Sequence, residues 1–388
     1  LLDETLGPDN PRTLASRNNL ANAYRSAGKL EQAIDLHKRT LADSERVLGP
    51  DHPHTLTSRN NLALAYESAG KLGKAIDLHK RTLADRKRVL GSDHPDTLVS
   101  RNNLALAYQD AGRPDQAIPL FEQNLADRER VLGPDHPDTL RSRNNLAGIY
   151  ESAGRLDKAI DLHKRTLADS ERILGPDHPN TLVSQGNLAH VYKSAGILEQ
   201  AIPLFEQTLA DSERILGPDH PNTLTSRGNL AGAYESAGRL DEAVLLFEWA
   251  LVDLERVLGV DHPDTLVSRN NLAHVYESAG KFDKAIDLYK KNLADRERVL
   301  GSDHPGTLVS RGNLASAYWF ADRPDDAISL LKQNLAEALR VLGPDHPNTR
   351  IFRDNLVDTY RTVGRDEDAA ALLDSSPDPD DTDTEAPV

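Results

Sequence analysis

An all-α fold, a solenoid of stacked antiparallel helix hairpins, is predicted by three features of the sequence. A glycine recurs every 42 residues, at Gly7, Gly49, Gly91, Gly133, Gly175, Gly217, Gly259, Gly301 and Gly343, without insertion or deletion. Each interval holds two segments of helical length with start and stop residues, and no segment alternates with period 2 as a strand does. One hairpin of this composition cannot bury the apolar faces of both its helices, so neighbours must stack.

The interval from Pro50 to Gly91 justifies each element in turn. Asp51-His52-Pro53 opens helix A, because proline fits the first helical turn and pushes the residue before it into the extended region an N-cap needs. Helix A is predicted from Pro53 to about Ala69. Gly70 ends it by supplying a left-handed backbone. Helix B is predicted from Leu72 to Leu90, with Gly91 as its stop. At 100° per residue, Leu56, Leu62, Ala63 and Tyr66 share one arc of helix A and pack against helix B. Thr57, Asn60, Asn61, Leu64 and Ser68 share the opposite arc. On helix B the apolar stripe is Leu72, Ala75, Ile76, His79, Leu83 and Leu90.

Leu62-Ala63-x-x-Tyr66 resembles the Leu-Gly-x-x-Tyr of tetratricopeptide repeats, and Ala117-x-x-x-Phe121 resembles their Ala-x-x-x-Phe. Arginine, Arg59 here, stands in place of the family's tryptophan. The usual period is about 34 residues. The longer unit, with Asn60-Asn61-Leu62-Ala63 and the Gly-Pro-Asp-His-Pro linker, is similar to the kinesin-light-chain variety and to bacterial arrays of that type. The resemblance implies a right-handed superhelix whose helix A lines a concave groove. It also implies that groove asparagines hold bound peptides.

The pattern divides the chain into residues 1–7, the end of a preceding truncated repeat, residues 8–373, nine tandem repeats, and residues 374–388, an acidic tail expected to be disordered. The opening Leu1-Leu2-Asp3-Glu4-Thr5-Leu6 matches the end of a helix B, so the chain reads as the C-terminal part of a longer protein. A net charge of −15 argues against nucleic acid and anionic membranes as partners. No cysteine is present, which removes disulfides, thiolate nucleophiles and cysteine-ligated zinc. A cytoplasmic location is the expectation.

The asparagines are the leading candidates for a site. Asn19, Asn61, Asn103, Asn145, Asn187, Asn229, Asn271, Asn313 and Asn355 occupy one helix A position in all nine repeats, and Asn18, Asn60, Asn102, Asn144 and Asn270 precede five of them. Helix propensity does not favour asparagine there. A carboxamide both donates and accepts, so the ladder either holds the backbone of an extended peptide or ties each hairpin to the next. Two variable series on the same face would set specificity, one including His190 and His274, the other including Glu67, Glu151, Glu235, Glu277 and Trp319. The second series is acidic in its middle and favours basic or neutral segments. Trp319-Phe320 replaces the usual Glu-Ser, and Asp322 replaces the hairpin glycine. These aromatics either anchor a partner or cover the end of the solenoid.

Eight linker histidines, from His52 to His346, are spaced too far apart to share one metal. Arg17, Arg59, Arg101, Arg143, Arg227, Arg269, Arg311 and Arg353 lie at the centre of the packing arc and require helix B carboxylates such as Asp43 or Glu45 as partners. No phosphate loop or nucleophile elbow occurs, and no catalytic residue, cofactor or metal is expected. The function read from these residues is a scaffold that binds a protein or an extended peptide, with self-association open. The alternative is the sensing arm of a multidomain nucleotide-hydrolysing regulator.

Overall fold

The computed structural model describes residues 6–344 and 346–374. The expected end of a preceding repeat, apart from Leu6 and Gly7, and the expected tail beyond Asp374 lie outside the described residues. Among the described residues there are eighteen complete helices and no strand. The helices A are α1 (Pro11–Ser26), α3 (Pro53–Ser68), α5 (Pro95–Asp110), α7 (Pro137–Ser152), α9 (Pro179–Ser194), α11 (Pro221–Ser236), α13 (Pro263–Ser278), α15 (Pro305–Phe320) and α17 (Pro347–Thr362). The helices B are α2 (Leu30–Leu48), α4 (Leu72–Leu90), α6 (Pro114–Leu132), α8 (Leu156–Leu174), α10 (Leu198–Leu216), α12 (Leu240–Val257), α14 (Phe282–Leu300), α16 (Pro324–Val341) and α18 (Asp366–Asp374).

Two compact units divide the chain, residues 1–196 and 197–388. The first contains α1 to α9 and the second α10 to α18. Within each, every helix packs on the next one in sequence, so α4 lies against both α3 and α5, and α14 against both α13 and α15.

The linker explains the regular helix starts. His52 has extended backbone angles, and its Nδ1 accepts the His54 N–H at 3.2 Å. The same imidazole cap recurs at His94, His136, His178, His220, His262, His304 and His346. Asn10 performs it in the first repeat, accepting from Arg12 at 2.9 Å. One orphan helical N–H is thereby satisfied at each start. The sequence placed these histidines at the N-cap position but did not show that the imidazole itself is the cap. The linker aspartate is held in turn: Arg130 at the end of helix B donates to Asp93 at 2.9 Å through Nη1. At the hairpin turn Gly70 adopts φ 68°, and the Lys71 N–H closes back on the Tyr66 carbonyl at 2.9 Å.

Leu56, Leu62, Ala63 and Tyr66 are buried as the arc predicts, as are Ala75, Ile76 and His79. In the second unit Phe247, Leu272, Tyr276, Tyr289 and Leu314 belong to one core cluster. Burying one such side chain contributes roughly 1.5–3 kcal/mol. The predicted stripe of helix B needs correction. Leu72, Leu83 and Leu90 are half-buried, whereas Thr82 and Arg86 are buried. Helix B packs between its own helix A and that of the next repeat, so its buried face is wider than the apolar residues mark out.

Candidate functional site

The packing-arc arginines come first, because they orient helix A. Arg59 lies between two helices B, with Asp85 of its own repeat 2.6 Å from Nη1 and Glu45 of the preceding repeat 3.2 Å from Nη2. Arg143 repeats this with Asp169 and Glu129, at 2.6 and 3.1 Å. Arg269, fully buried, does so with Asp295 and Glu255, both at 2.6 Å. Arg17 reaches Asp43 at 2.8 Å and Arg311 reaches Glu297 at 2.8 Å. The carboxylate partners are those the spacing requires. Paired guanidinium groups hold Asp85 and Asp169 ionised, with pKa values below the usual carboxylate range despite partial burial.

With helix A fixed this way, its asparagine face follows. Asn103 Nδ2 donates to Asn60 Oδ1 on the preceding helix A at 3.0 Å, Asn145 to Asn102 at 3.0 Å, and Asn313 to Asn270 at 2.9 Å. Asn18 instead donates to Ser58 Oγ at 2.8 Å and lies 3.2 Å from His37 Nδ1. In repeats 6 and 8 the first asparagine is replaced by Gly228 and Gly312, so Asn271 and Asn355 face no such acceptor. Asn19, Asn271 and Asn355 are exposed. Asn61, Asn103, Asn145, Asn187, Asn229 and Asn313 are half-buried, as are Asn18, Asn102, Asn144 and Asn270, and Asn60 is buried. The exposed His190 and His274 lie 3.3 Å from Glu151 and 3.5 Å from Glu235 of the preceding repeats.

Residues that sequence reasoning missed decide where this face is open. Arg86 and Arg128 on helix B are buried. Each donates to the first two turns of the following helix A, Arg86 to the Asp96 carbonyl and Ser100 Oγ at 3.0 Å, Arg128 to the Asp138 carbonyl and Ser142 Oγ at 2.8 Å. They plug the cleft between consecutive helices A. Their position, eleven residues after the buried Ala75 or Ala117, continues the stripe at helical spacing, which is the signal their charge concealed. In repeat 6 the same position is Leu254, and with Gly228 and Ala250 it leaves a cavity of about 240 Å³ that Asn229 and Asn271 also line. A second cavity, of about 310 Å³, opens between α15, α16 and α17, where Trp319, Phe320 and Asn355 form part of the wall. Helix α17 packs beyond these aromatics, Trp319 is half-buried and Phe320 is 57% exposed.

The profile described as tetratricopeptide repeat matches residues 1–45, 12–88, 71–126, 99–171, 143–211, 187–251, 253–294 and 264–336. The chain belongs to the tetratricopeptide repeat family. Among solved structures, a putative kinesin light chain with nearly identical repeats from Podosopora anserina is 34% identical, over 53% of this chain and 97% of that one, with a TM-score of 0.48. The apo quorum sensor NprR from B. thuringiensis aligns with 94% of this chain and 97% of its own, at 14% identity and a TM-score of 0.54. A signal-transduction ATPase with a tetratricopeptide repeat sensor, from Pyrococcus horikoshii, aligns with 88% of this chain at 14% identity and a TM-score of 0.52, and the match spans 51% of that protein. Comparison with proteins of curated function returned no match.

The charge on this tetratricopeptide face is acidic and partly desolvated. Burial raises the Glu277 carboxyl above its ordinary value, against the pull of the Ser316 hydroxyl and His274. Asp110 is raised by burial and by the neighbouring charge of Glu67. A carboxylate that is costly to keep charged gains most from a cation brought to it.

Proposed function

We propose that the asparagine face of helix A binds an extended peptide segment, and that this array serves as a peptide- or protein-binding scaffold. The observation that carries the reading is the uneven use of the asparagines. Asn103, Asn145 and Asn313 spend one amide hydrogen on the neighbouring repeat, whereas Asn271 and Asn355 face glycine at that point and line the two open cavities. Carboxamides held in register every 42 residues offer donors and acceptors to a peptide backbone without reading its side chains. The half-buried glutamates Glu67, Glu151, Glu235 and Glu277 favour basic or neutral segments over acidic ones. Family membership supports the scaffold role.

The test is selection of binding peptides from a random library on the isolated array, followed by affinity measurement on an Asn229→Ala/Asn271→Ala/Asn355→Ala variant. A loss of roughly tenfold or more is expected from three neutral hydrogen bonds. Unchanged affinity of the selected peptides overturns the groove assignment. A second reading, a sensing arm in a multidomain nucleotide-hydrolysing regulator, is favoured by the Pyrococcus horikoshii protein, whose described sensor is a tetratricopeptide repeat. An upstream phosphate loop in the full gene product would decide for it.

A further inference from the structure

The cleft between repeats 8 and 9 holds, at four helix positions, a combination found in no other repeat, and the four residues act together. Two truncations deepen it: Gly312 stands where repeats 1 to 4 and 7 have asparagine, and Leu331 stands where repeats 1 to 7 have histidine, phenylalanine or tyrosine. Two enlargements wall it, since Trp319 and Phe320 replace the polar pair found in the other repeats. The result is the cavity of about 310 Å³. Its hydroxyls have already spent their protons. Thr359 Oγ1 donates to the Asn355 carbonyl at 2.6 Å, Thr362 Oγ1 to the Asp358 carbonyl at 2.7 Å, and Ser316 Oγ to Glu277 Oε1 at 3.2 Å. Each therefore presents only lone pairs inward. The Asp358 carboxylate, 76% exposed, adds a full negative charge. Arg361, one turn along the same helix, lies 4.0 Å from it and is largely exposed, so the pairing is weak.

Aromatic faces, hydroxyl lone pairs and a carboxylate call for a cationic donor on an apolar stem. We propose that this cleft is a subsite for a lysine or arginine side chain of the bound segment, the stem lying along Trp319 and Phe320 and the charged end reaching Asp358. The proposal deepens the peptide-binding reading and rests on it for the origin of the side chain, but the pocket chemistry can be tested alone.

The chain has two tryptophans, and Trp249 lies on an exposed face of α12, so a Trp249→Phe protein reports on Trp319 only. N-acetyl-argininamide and N-acetyl-lysinamide are titrated into it, with N-acetyl-leucinamide and N-acetyl-glutaminamide as controls, following emission. Saturable change with the two cations, weakened by added salt, is expected. Asp358→Asn should weaken it roughly fivefold or more. Gly312→Asn should abolish it by refilling the cleft; a Cβ there meets its nearest atoms at ordinary contact distances, 3.8 and 3.9 Å, so the fold tolerates the change. Equal response to leucinamide and argininamide, or no response to either cation, overturns the subsite. If that occurs while the asparagine variant still loses peptide, the groove stands and the subsite falls. If the cations bind and library peptides do not, the subsite stands and the groove reading falls.

Discussion

Asn103 reaches back across a repeat boundary to donate to Asn60 at 3.0 Å, and Asn60 is 8% exposed. Asn271, 168 positions further along the chain at the equivalent point, faces Gly228 and has no carboxamide to reach. The same residue in the same register therefore serves two purposes. Asn103→Ala should lower stability by about 1–3 kcal/mol, because it strands a buried carboxamide oxygen. Asn271→Ala should leave the melting temperature within error, alanine being the better helix former, and weaken peptide binding instead. Thermal melting and peptide affinity measured on both variants check the division. Equal melting losses would contradict it.

Arg269 is fully buried between Asp295 and Glu255, which are 18% and 28% exposed. Arg269→Ala should cost about 2–4 kcal/mol, since two half-desolvated carboxylates lose their counter-charge together. Arg269→Gln should cost less, because the fifth repeat already holds Gln185 at this position. Urea unfolding of the two variants gives the comparison.

His37 is fully buried, and burial, helped by the nearby Arg25 charge, lowers its pKa from 6.5 to about 4. The unfolded chain takes up this proton as pH falls through 6.5, while the folded chain does so only near 4. Stability is therefore full above pH 6.5 and declines between 6.5 and about 4. The loss from this one site is up to about 3 kcal/mol. His37→Phe, which copies Phe121 and Phe205, should flatten that part of the pH profile. Melting temperatures of both proteins at pH 7.5 and at pH 4.5 check it, and parallel profiles would refute the assignment.

Asp322 adopts φ 58° at a hairpin turn where the other repeats place glycine, as Gly280 does at φ 70°. Aspartate tolerates this region better than most residues but still carries strain. Asp322→Gly should raise stability by about 0.5–1 kcal/mol at the turn beside the Trp319 cleft. Chemical denaturation measures the gain, and a loss would mean that the aspartate side chain contributes to the turn.

Much of this molecule was determined by sequence alone. The 42-residue period, the proline that opens helix A, the glycines that close both helices and the arc of Leu56, Leu62, Ala63 and Tyr66 follow from rules acting over a few neighbouring residues. The pairing of Arg59 with Asp85 was also legible, because a charge at the centre of an apolar arc has to find a partner on the helix it packs against. Only the tertiary structure decided which asparagines are spent. The acceptor for Asn103 lies 43 residues away on another hairpin, and whether it exists depends on one residue there, asparagine or glycine. It alone showed Arg86 and Arg128 as buried plugs and the space left where Leu254 and Leu331 stand. Those clefts form between three helices, so their shape depends on side chains that are distant in sequence and meet only when hairpins stack.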